Sequence, residues 1–179
     1  MEFHFAPSNV SKFIFLVTLL IVTTNAQNNN LFSDICPKSK NPSACLSLLK
    51  HDNRTNKATS VQALGIGSLS IAIDQSILSV NLLDNSLRKK FLPDKETYLY
   101  VNCRNYYKFA LVRLSEAKKE FGDNKFSSAR RKVAVVVNAA ASCRRIGSPP
   151  PGIKSAIDMS DIMFNIAYVI MQEADGKKI

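Results

Sequence analysis

Residues 94–146 read DKETYLYVNCRNYYKFALVRLSEAKKEFGDNKFSSARRKVAVVVNAAASCRRI, and their spacing decides the fold. Leu99, Cys103, Tyr106, Ala110, Leu114, Ala117 and Phe121 follow one another in steps of three and four, the period of one apolar helical face. A second series begins after Gly122-Asp123-Asn124 and runs through Phe126, Ala129, Val133, Val136, Ala140 and Cys143. The β-branched stretch 133–137 would suit a short strand, but the helical spacing continues on both sides of it, so it is read as helix. With the turn centred on Asp123, Cys103 lies twenty residues before it and Cys143 twenty after. In an antiparallel helix pair these positions share one level on the facing apolar stripes, which predicts a Cys103–Cys143 link.

Two further amphipathic segments flank this pair. The first, about Thr59 to Lys89, carries Leu69, Ile73, Val80, Leu83 and Leu87 on one stripe, widened by Ile66, Ile77 and Leu78. Gly65 and Gly67 near its start predict a bend or a close backbone contact. The last, Ile153 to about Glu173, follows the stiff SPPPG connector and aligns Ile157, Phe164, Tyr168 and Met171. Asp94, after Pro93, is placed as the cap of the second long helix. Four long helices joined by short connectors predict an all-α, antiparallel up-down-up-down four-helix bundle.

Upstream, residues 34–45 read DICPKSKNPSAC. Eight residues between the two cysteines are too many for a zinc hairpin or a C-x-x-C redox pair. Cys36 and Cys45 instead sit symmetrically about a turn at 38–41, between a short helix over 31–35 and another from Pro42 to about Lys50. Asn41 suits the cap of the latter and Pro42 its first position. A Cys36–Cys45 staple would close this hairpin. The polar linker 51–58 carries the acceptor sequon Asn53-Arg54-Thr55.

The compartment agrees with staples. Lys12 precedes FIFLVTLLIV at 13–22, and small residues lead to Ala26. This is the pattern of a cleaved secretory signal over residues 1–26, the apolar run being about half a bilayer span. The expected organisation is therefore a signal at 1–26, a hairpin and linker at 27–58 and a bundle at 59–179, with 27–179 forming one domain. An even set of four cysteines in a secreted chain reads as two disulfides.

Catalytic machinery is not evident. His51, in the linker, is the only histidine after the signal, and it has no matched nucleophile. Asp158 and Asp161 stand one helical turn apart, a spacing better suited to a solvated helix face than to paired catalytic carboxylates. The GIG at 65–67 lies inside a helical pattern and is no phosphate loop. Neither a metal nor a cofactor is expected. The formal net charge of +10 is unchanged by loss of Glu2 and Lys12. The basic clusters at 88–90, 118–119, 130–132 and 144–145 suit solvated faces and helix ends, or a polyanion, which for a secreted protein means acidic polysaccharide or lipid headgroups before nucleic acid.

A signal, a disulfide-closed short hairpin and a four-helix bundle with its second and third helices cross-linked resembles the plant invertase and pectin methylesterase inhibitor family. The likeness runs from about Leu31 to Met171 and is carried by DICPKSKNPSAC, NCRNYYKFALVRLSEA and NAAASC at 138–143. It implies a non-catalytic protein of the apoplast or cell wall that covers the active-site cleft of an extracellular carbohydrate-active enzyme. Because the chain ends at Ile179, it is read as a free inhibitor rather than a pro-region of a larger enzyme. The resemblance offers two targets. Inhibitors of pectin methylesterase present outer faces of the bundle helices. Inhibitors of acid invertase insert a Pro-Lys-Phe loop, whose counterpart here is Asn124, Lys125 and Phe126. Lys125 and Phe126 match that signature and Asn124 does not, and Arg144-Arg145 stand where the family carries an acidic residue after the last cysteine. Pectin methylesterase is thus placed ahead of invertase. The competing readings are a basic wall- or membrane-binding helical protein without an enzyme target, and a hydrolase.

Overall fold

The computed structural model describes residues 31–176, and the signal expected at 1–26 lies outside them. The described chain starts helical at 31–35 and tightens into a 3-10 turn at Cys36–Lys38. Five α-helices follow: α1 Pro42–His51, α2 Val61–Leu87, α3 Asp94–Gly122, α4 Phe126–Ile146 and α5 Pro151–Gly176. No strand occurs among the described residues, and 133–137 is helical. α2 packs on α3 and α5, and α4 packs on the same two helices from the other side, closing an antiparallel four-helix ring.

Local chemistry starts and stops these helices. The Asn41 side-chain oxygen accepts the Ala44 amide (3.1 Å), and Pro42 occupies the first turn of α1. The Ser60 hydroxyl caps α2 by accepting the Ala63 amide (3.1 Å). At α3 the expectation shifts by one residue. Pro93 is the cap, without a side-chain bond, and Asp94 lies inside the first turn, where its charge favours the helix N-terminus.

Two disulfides close the described chain, Cys36–Cys45 and Cys103–Cys143, and all four residues are buried. Chain-entropy arguments assign them about 3 and about 4 kcal/mol respectively, the second closing the longer loop. The second bridge crosses from α3 to α4 beside a core of Tyr107, Leu114, Phe121, Val133, Phe164 and Ile170, all fully buried. Tyr107 and Phe164 meet with ring centroids 6.2 Å apart.

Three stripe assignments need correction. Tyr106 is outward-facing and Tyr107 takes the core position, where its ring meets Phe164 across the centre of the bundle. Steps of four, four and three from Leu99 keep the helical period as well as four, three and four do, so spacing alone does not choose between the two tyrosines. Ile77 and Leu78 are exposed. The buried face of α2 is made instead of Gly65, Gly67, Ser68, Ala72, Ser76 and Ser79, among larger residues such as Leu69 and Leu83. Such small residues let backbones approach. A Cβ at Gly65 would stand 2.3 Å from the Phe121 ring, and one at Gly67 would stand 2.5 Å from the Arg54 carbonyl oxygen. The serine hydroxyls are satisfied locally: Ser68 and Ser76 donate to backbone carbonyls within α2. By length and composition α2 could cross a membrane, yet half of that apolar window is buried inside the bundle.

His51 closes the last turn of α1 and is not part of the linker, and the segment 52–58 that remains is docked more firmly than its polar sequence suggests. Thr55 is buried and its hydroxyl donates to the Leu49 carbonyl (2.7 Å), while Arg54 holds Asp52 and Asp74. The close approach at Gly67 is what admits this strap.

Candidate interaction surface

The loop singled out from sequence is a tight turn. Asn124 takes φ 60°, a left-handed conformation that asparagine tolerates and that proline, held near −65°, cannot adopt. This gives the departure from Pro-Lys-Phe a backbone cause. The turn is further tied by Gln62, whose amide donates to Asn124 Oδ1 (2.8 Å), and by the Lys125 amide donating to the Glu120 carbonyl (2.8 Å). Phe126 does not project. Its ring packs edge-on against Phe121 at 5.0 Å and 67°, so it is the first core residue of α4. Of the three residues, Lys125 and Asn124 are exposed and the aromatic ring is half-buried.

Arg144, the second departure, has internal partners. It bonds Asp161 (2.9 Å) and Asp158 (3.4 Å) across to α5, and Lys154 completes the cluster on Asp158 (2.9 Å). The two aspartates therefore serve an interhelix ion network rather than a free solvated face. His51 is exposed, with its Nδ1 at 2.7 Å from the Ser47 carbonyl. Asn53 is exposed at the surface of the linker turn. Among the described residues no group of three or more histidine, cysteine or acidic side chains could hold a metal ion.

The outer face of α3 and α4 presents a surface that the sequence reading passed over. Tyr98, Tyr106, Phe109 and Val112 on α3, with Val135 on α4, are all exposed. On a helical wheel Tyr98, Phe109 and Val112 fall within one narrow sector, opposite the buried stripe. Arg113 lies over the Phe109 ring, 5.2 Å from its centroid, a cation–π contact that holds both side chains in place. Between the helices, Phe109, Arg113, Ser128, Arg131, Lys132 and Val135 line a groove of about 280 Å³. Lys132 bonds Glu116 (3.0 Å), and Arg113 bonds the same carboxylate (3.0 Å). Those bonds hold the Glu116 carboxyl below its usual range and raise the Lys132 ammonium. Arg131 is exposed, has no ion pair among the described residues and lines the groove. The result is an aromatic-aliphatic strip with a cationic edge. Its signal in the sequence was the spacing of Tyr98, Phe109 and Val112, which fall on the side of α3 away from the core series, with Tyr106 at the edge of that series.

Comparisons with known proteins agree with this architecture. The family described as plant invertase/pectin methylesterase inhibitor matches residues 30–165. A pectinesterase inhibitor of Actinidia deliciosa is 28% identical over 188 residues, covering 99% of this chain and 100% of that protein. A mutant form of a pectin methylesterase inhibitor from Arabidopsis superposes with a TM-score of 0.70 at 23% identity, covering 79% of this chain and 95% of the other. A second Arabidopsis pectin methylesterase inhibitor structure gives 0.59 at 22% identity, covering 80% and 95%. At these identities the two structures speak for the fold alone.

Proposed function

The chain belongs to the plant invertase/pectin methylesterase inhibitor family, and from that membership we propose that it is a secreted inhibitor of a pectin methylesterase, docking through the α3–α4 outer face. It is not an enzyme but a member of an inhibitor family. The observation that carries the choice of face is the exposed Tyr106, Phe109, Val112 and Val135 strip with Arg113 stacked on Phe109. Exposed aromatic and arginine side chains held in place beforehand are the residues that dominate binding energy at protein interfaces. The full-length similarity to a pectinesterase inhibitor favours the methylesterase as target. The inward turn of Phe126 removes the aromatic half of the loop that an invertase inhibitor would insert. The basic surface would add affinity for acidic pectin, and an exposed Asn53 would accept a glycan in the secretory route.

The test is a side-by-side titration of the protein against a pectin methylesterase and an acid invertase. The methylesterase should lose activity in proportion to inhibitor, and Phe109→Ala or Arg113→Ala should weaken that inhibition by on the order of 2 kcal/mol, roughly thirtyfold. Both side chains lie outside the core, so helicity should not change. Inhibition of invertase alone would overturn the proposal, as would a methylesterase inhibition indifferent to both substitutions.

A further inference from the structure

The connector between α2 and α3, residues 88–93, places an aromatic ring where burial gains nothing. Phe91 is 97% exposed and adopts φ 65°, a backbone conformation that costs a bulky residue about 1 kcal/mol or more. Its neighbours explain how the strain is held. Leu92 turns inward against the core, Pro93 caps α3, and the Lys89 amide bonds the Ser86 carbonyl (3.2 Å). The chain is thus pinned on both sides of an outward-pointing ring.

Arg88, Lys89 and Lys90 precede it, all exposed and none ion-paired among the described residues. The acids nearest in sequence are otherwise placed. Asp84 is taken by Arg104 (3.1 Å), and Asp94 and Glu96 sit at the N-terminus of α3, which favours them there. Tyr98 brings the outer face of α3 to within about one turn of this connector, but the residues that carry the proposed enzyme contact lie further along: Tyr106 is twelve residues from Asp94, about 18 Å of helix, and Phe109 fifteen, about 22 Å.

We propose that Arg88, Lys89, Lys90 and Phe91 form a docking tip for an acidic polysaccharide, with the ring against the apolar C–H face of a sugar and the cations on uronate carboxylates. A membrane surface fits less well. Interfacial anchoring draws on a whole apolar helix face, and here the second apolar side chain, Leu92, is turned into the core. One ring on one sugar face is a complete contact. The tip deepens the reading of a secreted protein acting at pectin, and it rests on that reading. Hydrolysis of a pectin methyl ester leaves a carboxylate, so such a tip would hold the inhibitor where the enzyme has already worked.

The test measures binding of the whole protein to polygalacturonate by calorimetry at low salt and at a few tenths molar salt. Phe91→Ala should weaken binding by about fivefold, the order expected for one lost ring contact. Lys89→Gln with Lys90→Gln should weaken it further and flatten the salt dependence. Lys50→Gln with Lys57→Gln removes equal charge from exposed positions in α1 and the linker and should change binding less than about twofold, the order expected of screened charges elsewhere on the surface. Equal losses in both double variants would overturn the tip in favour of general charge, and an unchanged Phe91→Ala would remove the ring from it. Stronger, Phe91-dependent binding to phosphatidylserine vesicles would assign the tip to lipid and overturn the proposal. So would loss of methylesterase inhibition in the tip variants, which would join the tip to the enzyme-binding face. A wild-type protein that fails to inhibit the enzyme breaks the proposed function alone, because the polysaccharide titration contains no enzyme.

Discussion

Lys90-Phe91 and Lys125-Phe126 are the same dipeptide in two interhelix connectors at opposite ends of α3, each with one residue in the left-handed region. Their rings meet opposite fates. Phe126 is the first residue of α4, in step with Ala129 and Val133, and helix geometry carries it onto Phe121. Phe91 falls three residues before α3 begins, out of step with any stripe, and Leu92 takes the inward position. A short motif thus has no fixed role. Its register to the following helix decides whether the aromatic stabilises the protein or is left for a partner.

The contrast can be broken most directly at the rings. Phe126→Ala should cost roughly 2–3 kcal/mol in denaturant unfolding, since a half-buried ring and its edge contact are both lost. Phe91→Ala should stay within about 0.5 kcal/mol, as expected for a surface site. Similar losses at both positions would mean that Phe91 also packs. Gly65→Ala should follow at roughly 2 kcal/mol, because its Cβ would push into Phe121, the ring on which Phe126 rests. A thermal melt unchanged by this substitution would show that the Phe121–Phe126 end yields easily.

Midway along α3, Tyr107 tests the body that joins the two connectors. Its hydroxyl is buried without a well-formed hydrogen bond among the described residues, and burial pushes its pKa up to about 12. Above the ordinary value of 10.0 the unfolded chain releases this proton while the native state keeps it. Stability is therefore full below about pH 10 and falls as pH rises towards 12, by on the order of 2 kcal/mol from this group. Tyr107→Phe should remove that portion of the alkaline loss and cost less than about 1 kcal/mol near neutrality, since the hydroxyl has little to lose. An alkaline profile identical in both proteins would show that Tyr107 titrates like an exposed tyrosine.

The smallest effect belongs to Lys125→Ala. With Phe126 turned inward, this change should leave methylesterase inhibition within about twofold, as for most residues outside the few that dominate an interface. A large loss with the helicity intact would place the enzyme at the 123–126 turn and invert the roles assigned to the two ends.

Much of the fold was legible because it depends on local periodicity. Steps of three and four located every long helix to within a few residues, and the symmetry of Cys103 and Cys143 about Asp123 set the register of α3 against α4. The interaction face was less legible. Stripe counting looks for what is buried, so it drew Tyr106 into the core and passed over Phe109 and Val112 on the other side of the same helix.

By itself, the sequence determined the helix boundaries to within a few residues, the antiparallel order, the cap at Asn41 and the pairing of four cysteines, since each depends on neighbours a few residues away or on symmetry about a turn. Only the tertiary structure decided which of Tyr106 and Tyr107 faces Phe164, that Ile77 and Leu78 stay in solvent while glycines and serines fill the α2 interface, that Arg144 answers to Asp158 and Asp161, and that one Lys-Phe ring is buried and the other is not. These outcomes depend on the rotation of each helix about its own axis and on how closely two backbones approach. Both are set by the packing of all four helices at once, which no single stretch of chain encodes.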